Sequence, residues 1–489
     1  MSIKKKPNRS RLFPCGQTRR EFVWEMGAGF SGLALTSLLG ADSFFAKHTH
    51  ALGQAATTPL APRRSSYFGK AKSCIFLMMN GGPSQVDTFD YKPELQRYAG
   101  KSLPKDKKYI NSGGRRVGYL TPNWRPFRPG GQSGLLVSDY FPNVRRHADK
   151  LAVVKSCQGD SHAHGSALVA MNTGSTFIGR PSLGSWCVYG LGTENQSLPG
   201  YVVMITGSVA GAGNSLWGRG FLPTLHQGVE FRSQGDPVLF LSNPKGITSQ
   251  GRRDIVDGIN FLNKTALADV GDPEIATRIA QYELAYRMQS SVPGLMDIKR
   301  ETSATLEAYG AKLGATSLAN NCLLARRLVE KGVRFVQLFD QGWDHHSGIF
   351  ASIPKKARQL DRPVAALIGD LRERGLLDET LIVIGAEFGR TPMLQGKSNG
   401  GAANNVGRDH HKEAYSMILA GGGVKGGISH GRTDEFGYRP VENPVHIHDL
   451  NATILHCLGI EHKRLSFKYQ GLNQRLTGIA GNGVHDVLL

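Results

Sequence analysis

Thr380-Leu381-Ile382-Val383-Ile384-Gly385-Ala386-Glu387-Phe388-Gly389-Arg390-Thr391-Pro392 carries the reading on which the fold turns. Residues 381–384 are apolar and mostly β-branched, which predicts a short buried strand. Glu387 stands where that strand should end. A Gly/Asn-rich loop follows and closes on Arg408-Asp409-His410-His411, ahead of a second apolar run at residues 415–420. In an open α/β sheet, ligands bind in the crevice outside the carboxyl ends of the strands. Oxygen and nitrogen donors held there suit a divalent cation. A strand-end glutamate and a solvated polar loop is the plainer alternative.

The same pattern recurs along the chain. Residues 72–79 read as a strand that opens into Asn80-Gly81-Gly82-Pro83-Ser84-Gln85-Val86-Asp87, a strong turn signal. Residues 151–154 read as a strand ending in Asp160-Ser161-His162-Ala163-His164, at the entrance to a small-residue helix. Ser161 is the candidate nucleophile there. His164 can be a ligand, an acid/base group or a cap. Residues 201–205 and 333–338 are further strands, and the latter runs into Asp344-His345-His346. Residues 254–309, 318–330 and 358–374 carry helical patterns. Strand and helix alternate, which predicts an α/β fold with a mostly parallel central sheet flanked by helices. Residues 101–134 read as an irregular excursion.

Four strand ends then deliver polar groups to one edge. Asp344-His345-His346 and Asp409-His410-His411 are the sharpest pair. Of the adjacent histidines, His346 is expected to face the site and His411 to face away, with His345 contributing little. Arg390 is placed either to hold an anionic substrate group or to pair with a carboxylate.

The chain has 489 residues, 40% of them hydrophobic, and a formal charge of +20. The basic residues are scattered and not interleaved with aromatics, which argues against nucleic acid and for attraction of anionic substrates. Residues 18–23, Thr-Arg-Arg-Glu-Phe-Val, resemble a twin-arginine export signal. The apolar run at residues 26–39 is too short to span a bilayer comfortably. A short membrane anchor is the alternative. Residues 1–66 are read as signal and linker, residues 67–489 as the folded domain. The six cysteines form no C-x-x-C pair; Cys15 lies in the targeting segment, and the other five are expected to be buried thiols.

The motifs Gly81 to Asp90, Gly342-Trp343-Asp344-His345-His346, Glu387-Phe388-Gly389-Arg390-Thr391-Pro392, Gly407-Arg408-Asp409-His410 and Gly421 to Gly427 occur in order. Together they resemble the bacterial family called domain of unknown function 1501, planctomycete-type proteins that often carry twin-arginine signals. The resemblance implies an alkaline phosphatase/sulfatase-like fold with metals at the strand ends. It also implies an exported, periplasmic or extracellular, metal-dependent hydrolase of phosphate or sulfate esters. Its substrate would be an anionic small molecule or a polysaccharide ester. Asp87, Asp344, His346, Glu387, Asp409 and His410 are the expected ligands, for zinc or manganese in preference to calcium. Three departures stand against this. Glu387-Phe388 replaces the superfamily's Asp-His, Asn80 replaces its first-strand Asp, and no C-x-P-S-R motif is present. A non-catalytic anion- or glycan-binding protein is therefore the alternative.

Overall fold

The computed structural model describes residues 59–103, 117–209, 211–239, 241–395 and 406–489. The expected export signal lies outside them. The chain divides into two units, Met1–Pro59 and Leu60–Leu489, and all that follows concerns the second.

Among the described residues the central sheet has nine strands: β1 (Ser73–Asn80), β2 (Leu151–Gln158), β3 (Tyr201–Thr206), β4 (Val229–Glu230), β5 (Phe335–Gln341), β6 (Thr380–Gly385), β7 (Tyr415–Ala420), β8 (Ile428–His430) and β9 (Val445–His446). Their order is β8-β2-β7-β6-β1-β5-β3-β4, with β9 also paired to β2. Strand β1 is parallel to β5 and β6, and β3 is parallel to β5 and β4. Strand β7 alone runs against its neighbours β6 and β2. Eight strands therefore run one way, and their carboxyl ends share one edge.

Every residue of β1 and β6 is buried. A strand covered on both faces needs a continuous apolar run, and SCIFLMMN and TLIVIG are nearly that. Strand β2 runs four residues beyond its apolar run, through Lys155-Ser156-Cys157-Gln158, because β7 and β9 both pair with its end. The flanking helices include α1 (His164–Thr173), α2 (Leu183–Leu191), α3 (Ser249–Val270), α4 (Pro273–Met296), α5 (Leu318–Glu330), α6 (Ile349–Glu373) and α7 (Ile447–Cys457). Helix α6 begins nine residues before the expected start. It buries Ile353, Ala357, Leu360, Val364 and Leu371 at helical spacing, despite Pro354 and Pro363 within it.

Two sequence expectations change here. The helical stretch over residues 254–309 is broken, because Gly271 adopts φ +72° and ends α3 before Asp272 caps α4. The excursion at residues 101–134 contains strands Val117–Leu120 and Phe127–Gly130. The first of these pairs with Gly389–Gln395, which also pairs with Arg408–His411 in a small antiparallel sheet. The five cysteines among the described residues are buried and unbridged.

Candidate metal centre

The parallel strands set the site. Strand β1 leads to Gly81, β2 to His164 at the first turn of α1, β5 to Asp344 and His346, and β6 to Glu387. Strand Arg408–His411 adds His410 opposite Arg390. Successive residues of a strand face opposite ways. His410 accordingly turns to Asp344, while His411 is fully buried and donates from Nε2 to the Tyr438 carbonyl at 2.6 Å. Two glycines allow the close packing. A Cβ on Gly81 (φ +120°) would lie 2.4 Å from the Asp344 nitrogen, and one on Gly407 would lie 1.8 Å from the His346 carbonyl oxygen.

His164, Asp344, His346 and His410 each offer one ligand atom, all within 4.8 Å of one another. The outer side of each imidazole is tied down. His164 Nδ1 donates to Glu387 Oε1 at 2.7 Å, His346 Nδ1 to Gln395 Oε1 at 2.5 Å, and His410 Nδ1 to the His162 carbonyl at 2.7 Å. A neutral imidazole carries one N–H, so in the neutral state each Nε2 has a lone pair to offer a cation. Those three nitrogens all face Asp344, at 3.2, 2.9 and 3.2 Å. His164 Nε2 is buried and has no hydrogen-bond geometry to any partner. Three ring nitrogens converging on a carboxylate require positive charge among them, from ring protons or from a cation. Metal-ligating histidines have this arrangement, with the other ring N–H held by a carboxylate or carbonyl. The donor set fits a divalent cation.

The titration of these groups follows from their surroundings. Burial disfavours protonation of His164, but the Asp344 and Glu387 carboxylates outweigh it and push the group up to about 9. His410 goes the other way. Burial lowers it, and Arg390 and His164 add to that, against the one carboxylate of Asp344. Asp344 is raised by burial, yet contacts from His164, His346, His410 and Arg390 hold it far below the usual carboxylate range.

Three expected site residues play other parts. Asp87 is not brought into the cluster. It is buried, accepts from Arg408 Nε at 2.8 Å and takes the Ser84 hydroxyl at 2.6 Å. Breaking such a buried pair typically costs about 3–5 kcal/mol, so Asp87 fixes the wall that carries His410. Arg390 is fully buried. Its donors go to the carbonyls of Gly81, Gly82 and Arg408 and to Asp344 Oδ1. Of its two sequence readings, the carboxylate pair is the one the structure contains. Glu387 stands behind His164, its Oε1 also accepting from the Gly81 nitrogen at 2.9 Å. Its Oε2 and both polar side-chain atoms of Asn80 are buried without partners among the described residues.

Ser161 lies at the entrance to α1. Its hydroxyl is 2.6 Å from Ser166 Oγ and accepts from the Ala163 nitrogen at 3.1 Å. Asp409 accepts from the His410 nitrogen at 2.9 Å. It is not among the four clustered groups. His345 is buried, and burial with Arg390 nearby pushes it down to about 4. Sequence reasoning missed Gln395 and the His162 carbonyl, since orientation by an outer partner leaves no residue pattern. It also missed a second group, Asp160, His446 and His448. The His446-Ile447-His448-Asp449 sequence at the start of α7 is a signal that could have found it.

Fold and cluster together define an α/β protein with a candidate metal centre at its strand ends. A family model described as protein of unknown function, DUF1501, matches residues 71–488, and the chain belongs to that family. No curated protein matches it. Among solved structures it is similar to an alkaline phosphatase from the Antarctic bacterium TAB5, with 12% identity and a TM-score of 0.32 over 80% of this chain and 98% of that one. It is similar to an alkaline phosphatase superfamily protein from Vibrio parahaemolyticus, with 10% identity and a TM-score of 0.35 over 84% and 75%. It is also similar to the PsFucS1 sulfatase from Pseudoalteromonas sp., with 14% identity and a TM-score of 0.33 over 84% and 72%. No helix among the described residues is long and apolar enough to cross a membrane.

Proposed function

We propose that this protein is an exported, metal-dependent hydrolase of phosphate or sulfate esters. One observation carries the reading: three imidazoles anchored through Nδ1 turn their Nε2 atoms on one carboxylate. His164, His346, His410 and Asp344 would hold the cation, and three nitrogens with one oxygen suit zinc first and manganese second. Such a cation would supply Lewis acidity toward an ester oxygen. The chain's own residues do the positioning. Glu387, Gln395 and the His162 carbonyl fix the three rings, and Arg390 fixes Asp344. Asp344 is half-exposed, so the site opens to solvent on that side. The excess of Lys and Arg over Asp and Glu draws anionic esters toward it.

A second reading is a binding protein for anions or glycans. It is favoured by Ser161, the expected nucleophile, whose hydroxyl is engaged with Ser166. Hydrolysis of p-nitrophenyl phosphate and p-nitrophenyl sulfate by the zinc- and manganese-loaded protein separates the two. Turnover that chelator removes and Asp344→Ala abolishes supports the hydrolase. Metal bound without turnover of either ester contradicts it and leaves the binding protein.

A further inference from the structure

The far end of the sheet holds a cavity that the metal centre does not use. Strand β4 is the last strand on that side, and α4, paired with α3, packs against the Thr224–His226 turn that precedes it. Between them is a space of roughly 600 Å³, within the range of small-molecule sites. Its apolar walls include Trp217, Leu225, Leu241, Leu284 and Met288, each no more than 8% exposed. The charged groups on its lining are Arg232, Arg252 and Glu230, and Glu230 is exposed at the surface.

Two neighbouring arginines on α3 differ sharply. Arg253 is held by Asp257, with a 2.9 Å contact, and by Glu283 at 3.0 Å, and it lies over the Tyr286 ring at 4.8 Å. Arg252 lines the cavity instead, and its Nε is buried with no hydrogen-bond partner among the described residues. A buried donor left unmatched is costly, and more so on a charged group. An anionic head group would meet that need, while the Trp217–Met288 side offers an apolar body its contacts. Gln289 is not available for this, since its amide donates to the Leu241 carbonyl at 2.7 Å and to Asn243 Oδ1 at 2.8 Å.

We propose that this cavity is a second binding site, for an amphipathic organic anion such as a medium-chain carboxylate, with its head group on Arg252 and its chain against Leu284 and Met288. The site is independent of the metal centre, so either can fail alone.

The test is calorimetric titration of the full protein with dodecanoate below its micellar range, beside dodecyltrimethylammonium, which has the same chain and the opposite charge. Saturable binding of dodecanoate at one site per chain is expected, with the cation at least tenfold weaker. Arg252→Ala should weaken dodecanoate about tenfold or more, the usual worth of a charged hydrogen bond. Helix α3 buries only Val256 and Asn260, so that variant should melt like the parent. Met288→Trp, which narrows the space beside the chain, should weaken binding. Equal binding of the two head groups, an unchanged Arg252→Ala, or no saturable binding to the parent overturns the proposal.

Discussion

Two groups of histidine and aspartate stand at the carboxyl edge of the sheet, and each brings at least three metal-type donors together. In the first, His164, His346 and His410 each donate from Nδ1 to an outer acceptor and turn Nε2 to Asp344. In the second, His446 is the N-cap of α7, and its Nδ1 accepts from the His448 nitrogen at 3.3 Å. A neutral His446 therefore carries its proton on Nε2, which donates to Asp160 at 3.0 Å. A cation at that nitrogen would have to displace both the proton and the cap. The difference teaches that metal fit is decided by what holds the far side of each ring. The first group suits a cation, and the second caps a helix.

The comparison breaks most visibly at Asp344. Asp344→Asn should lower zinc affinity by more than about 100-fold, beyond what loss of an orienting partner does, as read by competition with a chromophoric chelator. Affinity within tenfold of the parent would remove Asp344 from the ligand set. Next in size is Glu387→Gln, which keeps the shape but weakens the anchor on His164. A loss of about 10–100-fold is expected, and an unchanged constant would mean that Glu387 does not set the ring.

A histidine with no carboxylate at all extends the contrast. His226 is buried, and burial pushes it down to about 4, against the Pro223 carbonyl that receives its Nδ1–H. Its folded value lies below the ordinary value near 6.5. The unfolded chain therefore takes up a proton first, and stability present above about 6.5 is lost as pH falls toward 4. The slope from this group is at most about 1.4 kcal/mol per pH unit. Chemical denaturation of His226→Phe across that window should show a shallower fall than the parent, and identical slopes would count against a neutral buried ring. The smallest effect is His446→Ala. Losing the cap should cost about 1 kcal/mol in denaturation, with metal affinity unchanged.

Much of the frame was legible in the chain because it follows from burial. Strands β1 and β6 are covered on both faces, and only unbroken apolar runs such as residues 75–79 and 381–384 survive there. Strands β8 and β9 were not legible. They are two or three residues long, and they pair with β2 without any pattern of their own. Asp344, His346 and His410 could be picked out because turn motifs placed them beyond strands. Asp87 and Arg390 were picked out for the same reason, yet each is engaged inside the wall. Residue type and strand end locate a side chain, but its direction depends on partners such as Arg408, more than 300 positions away from Asp87 in sequence. The separate parts of His410 and His411 were foreseeable, since alternation along a strand sends neighbours apart.

The central claim is that the His164–Asp344–His346–His410 group holds a cation and the Asp160–His446–His448 group does not. Elemental mass spectrometry of the protein, purified without chelator or affinity metal and reloaded with zinc, measures this directly. One tightly held metal per chain is predicted, lost in His410→Ala and retained in His446→Ala. A protein that takes up no metal, or that loses it in His446→Ala while His410→Ala keeps it, would contradict the account.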